Sequence, residues 1–385
     1  MRLNENAARS LALFLTGFGA FLNLYAPQPL LPHFRELFHA SELQASLTVS
    51  AAVFAVTLTS PVVGVVADWL GRKGVICVAM LALAVTTALA ATAETLTQLI
   101  LWRFLQGICI PGIIAVAMAY ISEESAPAVA GSIMARYIIG AVFGGFSGRF
   151  FTGLIAAAFG WPAGFLLLGV TTLLCTVVIA LILPPARHFL PPGSRAASLR
   201  TLREHLRNPD LLATYAVGFS VLFSNTAIFT YVNFRLADPP FGLGPSALSA
   251  IFAVYLVGAA VTPLAGRLID RAGTRRVLVG AVSISALGVL LTLMPVLSSV
   301  VVGLTLLATG VFGAQAAASL HVGEAARQAR SSAAGLYVSV YYLGGTIGSI
   351  VPGIFWAQLG WPGCVACVVV MQLLTTAIAT AGWRS

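Results

Sequence analysis

The chain has 385 residues, of which 59% are hydrophobic and only 9% are charged. Soluble domains contain about 45–50% apolar and about 25% charged residues, so this composition excludes an ordinary water-soluble domain. The net charge of +9 reflects a scarcity of acids, and it does not indicate a nucleic-acid partner. The five cysteines lie in or beside apolar runs, which predicts neither a disulfide framework nor a metal site.

Twelve apolar segments follow one another along the chain. Each is long enough to cross a bilayer as a helix, which takes about 20 residues. The first is too long for the core of a signal peptide, so we interpret it as a retained spanning helix. The spans are predicted at 10–32, 45–67, 74–93, 97–121, 131–158, 161–183, 210–234, 246–268, 277–294, 297–320, 332–358 and 361–382. They predict an all-α membrane protein with 12 transmembrane helices.

The basic residues indicate the orientation of the spans. If the N-terminus is cytoplasmic, the outside loops contain only Arg35 and Arg235, whereas most other basic residues fall in cytoplasmic segments. Cytoplasmic loops of membrane proteins carry such an excess of Lys and Arg. The distribution therefore predicts that both termini are cytoplasmic.

The longest break between spans, 184–209, is rich in proline and arginine. It divides the chain into an N-terminal six-helix bundle, 1–183, and a C-terminal six-helix bundle, 210–385. The basic part of the break has apolar residues at helical spacing. This spacing fits either a short interfacial helix on anionic lipid or a solvated cytoplasmic linker.

The two halves repeat one another. The loop after span 2 and the loop after span 8 share a pattern at an offset of 202 positions, formed by Gly64, Asp68, Gly71, Arg72 and Lys73 in the first copy and by Gly266, Asp270, Gly273 and Arg275 in the second. Glycines of span 5 recur in span 11, and Gly-Trp-Pro at 160–162 recurs at 360–362. The repeats predict two pseudo-symmetric halves, an architecture in which a solute binds where the repeats meet.

Three motifs carry a resemblance to a known family. The pattern G-x-x-x-D-x-x-G-R-K follows span 2, and Leu101-Trp-Arg103-Phe-Leu-Gln106-Gly107 lies in span 4. Span 5 has glycines at 131, 140, 144 and 148. These motifs resemble those of the major facilitator superfamily, although Gly145 and Arg149 depart from its antiporter pattern. Local segments such as Tyr120-Ile-Ser-Glu-Glu124 resemble the YnfM-type inner-membrane, efflux-like branch.

The resemblance implies a secondary active transporter of the bacterial inner (plasma) membrane. Such a protein moves a small solute by alternating access, here in the efflux direction, and proton coupling is left open. It implies a monomer with no cofactor and no enzymatic activity. The alternatives are a facilitator or uptake carrier for a neutral or anionic metabolite, and a permease subunit of a multi-chain ATP-driven transporter. Lys73 is the only lysine and precedes Gly74, so a P-loop is excluded within this chain.

The repeated loop motif predicts a conformational latch. Asp68 and Asp270 can each pair with Arg72 or Arg275 of their own loop, or lie at the positive end of an adjacent helix. Gly64 and Gly266 have no side chain, so a neighbouring helix can approach them. The alternative interpretation is plain capping of the loop.

The glycines of span 5 predict a groove. Gly140, Gly144 and Gly148 lie four residues apart and therefore share one face of the helix. Gly131 lies earlier in the same span. We expect this face to pack closely on a helix of the other half. The alternative is generic packing of small residues with no part in transport.

Polar residues inside the spans are the candidates for solute binding. Arg103 lies deep in span 4, where an arginine costs at least about 2.5 kcal/mol and usually has a function. Asn23 and Asn225 match at the repeat offset, so together they predict either contacts to the solute or two interhelical hydrogen bonds. The full set is Arg103, Gln106, Asn23, Asn225, Tyr231, Tyr255, Gln315 and Tyr341. Every acidic residue falls in a loop or at a helix end, which favours a neutral or anionic solute.

Overall fold

The structure is a computed structural model that describes residues 5–186, 205–326 and 330–383, without the side chains of 64–66, 68–70, 127–128 and 330–332. In chain order the helices are α1 (Glu5–Leu24), α2 (Leu31–Leu37), α3 (Glu42–Leu70), α4 (Arg72–Ala90), α5 (Leu96–Glu124), α6 (Pro127–Phe159), α7 (Trp161–Ile182), α8 (Pro209–Ala237), α9 (Pro245–Ile251), α10 (Val254–Ala272), α11 (Thr274–Leu291), α12 (Leu297–Ala325), α13 (Arg330–Leu359) and α14 (Trp361–Gly382). These ranges contain no β-strand.

Among the described residues, 12 helical segments are long and apolar enough to cross a membrane. Ten are single helices, whereas Glu5–Leu37 joins α1 to α2 and Pro245–Ala272 joins α9 to α10. A helix suits the bilayer because it satisfies its backbone hydrogen bonds within the segment. The prediction of an all-α protein with 12 transmembrane helices is confirmed.

The repeat is visible in the backbone. Gly71 and Gly273 separate α3 from α4 and α10 from α11, with φ of 76° and 84°. Gly160 and Gly360 separate α6 from α7 and α13 from α14, with φ of 84° and 62°. Glycine adopts positive φ at little steric cost, so these turns need it. The same sharp turn therefore occurs at equivalent places in both halves.

The first span of each half is its most enclosed helix. In its most apolar stretch, 61% of the residues are buried for Glu5–Leu37 and 83% for Pro209–Ala237, against 28% for Val129–Phe159. Asn23 and Asn225 lie on these two enclosed spans. Their amides therefore need partners inside the protein, because lipid and apolar side chains offer none.

The contacts divide the described residues into two compact units. The first contains residues within 1–40, 51–192 and 244–252, and the second contains residues within 41–50, 193–243 and 253–385. The start of α3 thus packs with the predicted second half, and α9 packs with the predicted first half. The predicted linker, 184–209, lies largely outside the described residues, and the division into bundles at that linker stays a prediction.

Candidate solute-binding and conformational sites

Arg103 of α5 contacts the C-terminal end of α1 through its guanidinium and is only 1% exposed. Its Nη1 donates to the carbonyl oxygen of Asn23 at 2.9 Å, and its Nη2 donates to that of Leu24. Neither carbonyl has the donor four residues later that a helix normally supplies, although the Ala26 amide donates to the Asn23 carbonyl oxygen at 3.4 Å. The amide four residues after Asn23 belongs to Pro27, which has no N–H, and Gln28 donates instead to Tyr25. The guanidinium therefore caps a helix C-terminus, where a cation is also favoured by the helix dipole.

Gln106 belongs to the same network. It is fully buried one turn along α5 from Arg103 and accepts a hydrogen bond from the guanidinium. Its Nε2 donates to the carbonyl oxygen of Thr86 on α4, at 3.2 Å. Arg103 and Gln106 thus join α5 to both α1 and α4. Their predicted contact with a solute stays a prediction.

Asn23 uses its amide inside the first unit. Its Nδ2 donates to Thr172 Oγ1 on α7 and to the Gly19 carbonyl, each at 2.9 Å. Its Oδ1 accepts from Thr87 Oγ1 on α4 at 2.8 Å. The side chain is 1% exposed and links three helices. The sequence analysis did not identify the two threonines, because they lie 64 and 149 residues away along the chain.

Asn225 has a different partner in the second unit. Its Oδ1 accepts a hydrogen bond from the Tyr255 hydroxyl at 3.0 Å, and both side chains are buried. The ring of Tyr255 also contacts Phe229, with centroids 4.4 Å apart, and meets Phe312 edge-on. The structure therefore brings together Asn225 and Tyr255, two candidates that the sequence placed on separate helices.

Gln315 and Tyr341 meet through a residue that was not among the predicted candidates. Tyr337 donates from its hydroxyl to Gln315 Oε1 at 3.0 Å, and its ring stacks on Tyr341 with centroids 6.0 Å apart. Gln315 and Tyr341 are half-buried, whereas Tyr337 is buried. The four-residue spacing of Tyr337 and Tyr341, which places both on one face of a helix, was the available signal. We call Gln315, Tyr337 and Tyr341 the tyrosine–glutamine cluster.

Tyr231 has its own set of contacts. It is fully buried, and its hydroxyl is 3.0 Å from the Ser349 carbonyl oxygen and 3.2 Å from Ser46 Oγ. Its ring lies near Trp356, with centroids 6.1 Å apart. The hydroxyl thus joins α8 to α13 and to the start of α3.

The first copy of the predicted latch contains an ion pair. Arg72, the first residue of α4, binds Glu123 at the end of α5 through Nε–Oε2 and Nη2–Oε1 distances of 3.1 and 2.9 Å. Lys73 is half-buried beside it. The side chain of Asp68 and the surroundings of Gly64 lie outside the description. The latch interpretation stays a prediction, and Glu123 is the partner that the motif did not reveal.

The second copy differs from the first. Asp270 is exposed, and Arg275 donates to the Thr380 carbonyl oxygen of α14 at 2.7 Å. A Cβ atom at Gly266 would meet nothing within 4 Å. The space beside Gly266 is therefore open in this structure, and the latch interpretation of the second copy stays a prediction.

The glycine groove of span 5 packs within its own unit. A Cβ at Gly140, Gly144 or Gly148 would collide with the carbonyl oxygens of Phe14, Phe18 and Leu22 on α1, respectively. The expectation that this face meets the other half is therefore wrong, because α6 lies on α1. A Cβ at Gly131 would meet open space, so Gly131 is not part of the close contact. In the second unit Gly344 and Gly348 lie in the same way on α8.

The architecture and the buried polar networks define a helical membrane protein built from two repeats. The sequence matches the Major Facilitator Superfamily over residues 13–238 and again over residues 238–384. The chain belongs to this superfamily, and the resemblance carried by its motifs is confirmed. The superfamily consists of transporters, so the coarse functional class is that of a multi-pass membrane transporter.

Proteins of similar sequence are named as transporters or efflux pumps. The chain is 34% identical over 364 residues to the uncharacterized transporter YybF of Bacillus subtilis, covering 94% of this chain and 90% of YybF. It is 31% identical over 372 residues to the inner membrane transport protein YnfM of Escherichia coli, covering 96% and 89%. It is 28% identical over 281 residues to the multi-drug resistance efflux pump PmrA of Streptococcus pneumoniae, covering 70% and 67%.

The fold also resembles that of solved transporters. The crystal structure of the nucleoside transporter NupG superposes with a TM-score of 0.80, covering 97% of this chain and 100% of NupG. The sequence identity is 16%, so this likeness concerns the fold alone.

Proposed function

We propose that the protein is a secondary active transporter that exports a small neutral or anionic solute across the bacterial inner membrane by alternating access. Membership of the superfamily and the internal repeat support carrier-type transport. The relationship to PmrA, which is named as an efflux pump, supports the direction of transport. The relationship to YnfM, named as an inner membrane protein, supports the location.

The tyrosine–glutamine cluster is the observation that supports the solute class. Its phenols and amide can donate and accept hydrogen bonds but carry no charge at neutral pH. Gln315 and Tyr341 are half-buried, so they retain surface that a solute can contact. The acids of the described chain lie at helix ends or in loops, so no carboxylate attracts a cationic solute at mid-span.

Arg103 acts in this proposal as a positioning residue. Its planar guanidinium donates hydrogen bonds to two carbonyl oxygens at the end of α1 and thereby holds the turn that follows. Lysine cannot replace it fully, because an ammonium lacks the planar fork. The first unit would then provide a rigid frame, while the cluster in the second unit contacts the solute.

Transport assays in proteoliposomes test the proposal. The purified protein is assayed with drugs, sugars and organic acids, first in counterflow and then with an imposed pH gradient. Tyr337→Phe removes the hydroxyl that holds Gln315 and should weaken the apparent solute affinity roughly two- to tenfold, the value of one hydrogen bond. Tyr215→Phe is the matched control, since that buried hydroxyl has no partner among the described residues. Equal effects of both variants would contradict the assignment.

A facilitator or uptake carrier without proton antiport is the second candidate. It is favoured by the absence of any mid-span carboxylate in the described ranges, because proton-coupled carriers often use such a group. Accumulation against a gradient only when a pH difference is imposed would exclude it. Downhill movement that ignores the pH difference would support it.

The proposed topology places both termini in the cytoplasm, with a monomer as the transporting unit. A reporter that functions only in the cytoplasm should be active when it is fused to the C-terminus. A fusion that is active only in the periplasm would contradict the topology. Light scattering of the detergent-solubilised protein tests the monomer.

A further inference from the structure

His321 lies at the end of the second unit among four helix ends. Its Nε2 is 3.0 Å from Asp210 Oδ1 at the start of α8, and its Nδ1 is 3.3 Å from Glu324 Oε2 on its own helix. Nδ1 is also 3.3 Å from Thr274 Oγ1, at the first residue of α11. The imidazole is 4% exposed. It stacks on Trp383 directly after α14, with centroids 4.0 Å apart and planes 16° from parallel.

Neighbouring groups hold this arrangement in place. The Asn208 side chain caps α8 by accepting from the amides of Asp210 and Leu211. Asp210 therefore lies in the first turn of a helix, where the dipole favours a negative charge. Among the described residues, Asp210 of α8 and Glu324 of α12 are the acids that face the imidazole. On α11, Arg275 follows Thr274 and donates to the Thr380 carbonyl oxygen of α14.

A neutral imidazole has one N–H, which can donate from Nε2 to Asp210 while Nδ1 accepts from the Thr274 hydroxyl. Glu324, whose side chain is 61% exposed, then receives no hydrogen bond from the ring. An imidazolium has two N–H groups and can donate on both sides. Uptake of a proton thus adds a charge-assisted hydrogen bond that ties the start of α8 to the end of α12.

We propose that His321, together with Asp210 and Glu324, is a proton-binding site through which pH at this end of the second unit controls the transport rate. The orientation predicted from the positive charges places this end in the cytoplasm. The inference rests on the proposed transport function for its consequence, but proton binding itself can be measured without transport.

Fluorescence of Trp383 reports the protonation directly. An imidazolium stacked on an indole makes a cation–π contact and quenches its emission. The full-length protein in nanodiscs is titrated over about pH 5 to 8, the range in which histidine changes charge. The emission should show a step that Trp383→Phe removes, which separates this residue from the other tryptophans. His321→Gln should abolish the step, and His33→Gln in the first unit should leave it unchanged.

Transport gives the second readout. If the pKa of a group differs by one unit between two conformations, protonation of that group changes the ratio of the two conformations about tenfold. The wild-type rate should therefore change up to about tenfold over this range, and His321→Gln should flatten the profile while retaining transport. If His321→Gln does not fold, Asp210→Asn should keep the packing and shift both the fluorescence step and the rate profile.

The outcomes distinguish the two proposals. A fluorescence step that depends on His321 in a protein that moves no solute would support the proton site and contradict the transport function. Transport by His321→Gln with an unchanged pH profile would overturn the inference while leaving the transport function intact. A step that survives His321→Gln would also overturn it.

Discussion

The two repeats carry different chemistry at equivalent positions, although the same glycine turn precedes both. In the first unit Arg72 binds Glu123 through two hydrogen bonds, and a guanidinium stays charged at physiological pH. In the second unit the residue 202 positions after Arg72 is Thr274, which lies 3.3 Å from His321. One repeat therefore holds an arginine–glutamate ion pair where the other holds a threonine beside a histidine. Duplication preserved the backbone and allowed the charges to diverge.

The interiors of the two units also differ in their buried polar groups. The first contains Arg103, with its hydrogen bonds to the end of α1, whereas the residue 203 positions later is Leu306. In the second unit Gln372 Nε2 donates to Ser285 Oγ at 2.7 Å. Gln372 Oε1 and Ser224 Oγ lack a partner among the described residues and line a small cavity. The first interior thus holds a buried guanidinium at this position, whereas the second has a leucine there and leaves Gln372 Oε1 and Ser224 Oγ without a described partner.

Arg103→Ala should have the largest effect, because it removes the described donor of two buried acceptors, the Leu24 carbonyl oxygen and Gln106 Oε1. Each unsatisfied group costs about 1–3 kcal/mol, so the free energy of unfolding should fall by roughly 2–5 kcal/mol and transport should be lost. Thermal unfolding in detergent and proteoliposome transport are the measurements. Leu306→Ala is the matched control in the second unit and should cost less. Wild-type stability of Arg103→Ala would contradict the capping role.

Gly144→Ala should come next. A Cβ there would collide with the Phe18 carbonyl, so α6 must move away from α1, at a cost of about 1–3 kcal/mol. Gly131→Ala adds the same methyl group where there is open space and should be close to neutral. The unfolding midpoints of the two variants give the comparison. Similar midpoints would show that the close contact of α6 with α1 is not needed.

Glu123→Gln should have a moderate effect that does not depend on pH. It removes the charge that partners Arg72 in a pair whose side chains are 8% and 18% exposed, so we expect a loss of about 1–2 kcal/mol. Transport should keep the wild-type pH profile between about pH 5 and 8, because arginine does not titrate there. A flattened pH profile in Glu123→Gln would show that the Arg72–Glu123 pair also contributes to the pH dependence of transport.

Ser224→Ala should have the smallest effect. The hydroxyl is buried without a partner among the described residues, so its removal should be neutral or stabilise the protein by up to about 1 kcal/mol. Thr87→Val in the first unit is the contrasting variant, since that hydroxyl donates to Asn23 and its loss should destabilise. A marked destabilisation by Ser224→Ala would indicate that the second interior is more fully bonded than it is in the structure.

Much of the fold could be predicted from the sequence, but the contacts of the site could not. Asn23 was a sound candidate because an amide in mid-span needs a partner, yet its partners on α4 and α7 are far along the chain. The glycine spacing of α6 predicted a close contact, but spacing alone does not say which helix makes it. His321 and Glu324 are one helical turn apart in the sequence, whereas Asp210, which completes their group, lies 111 residues before His321.

The sequence by itself determined the 12 spans, the repeat and the glycine turns. Hydropathy, span length and backbone satisfaction act within one segment, so local residues specify them. Only the tertiary structure decided that Arg103 caps α1, that α6 lies on α1, and that Tyr337 joins Gln315 to Tyr341. The physical reason is that a polar side chain in a membrane takes whichever donor or acceptor the packing brings within reach. That neighbour is set by the arrangement of several helices at once.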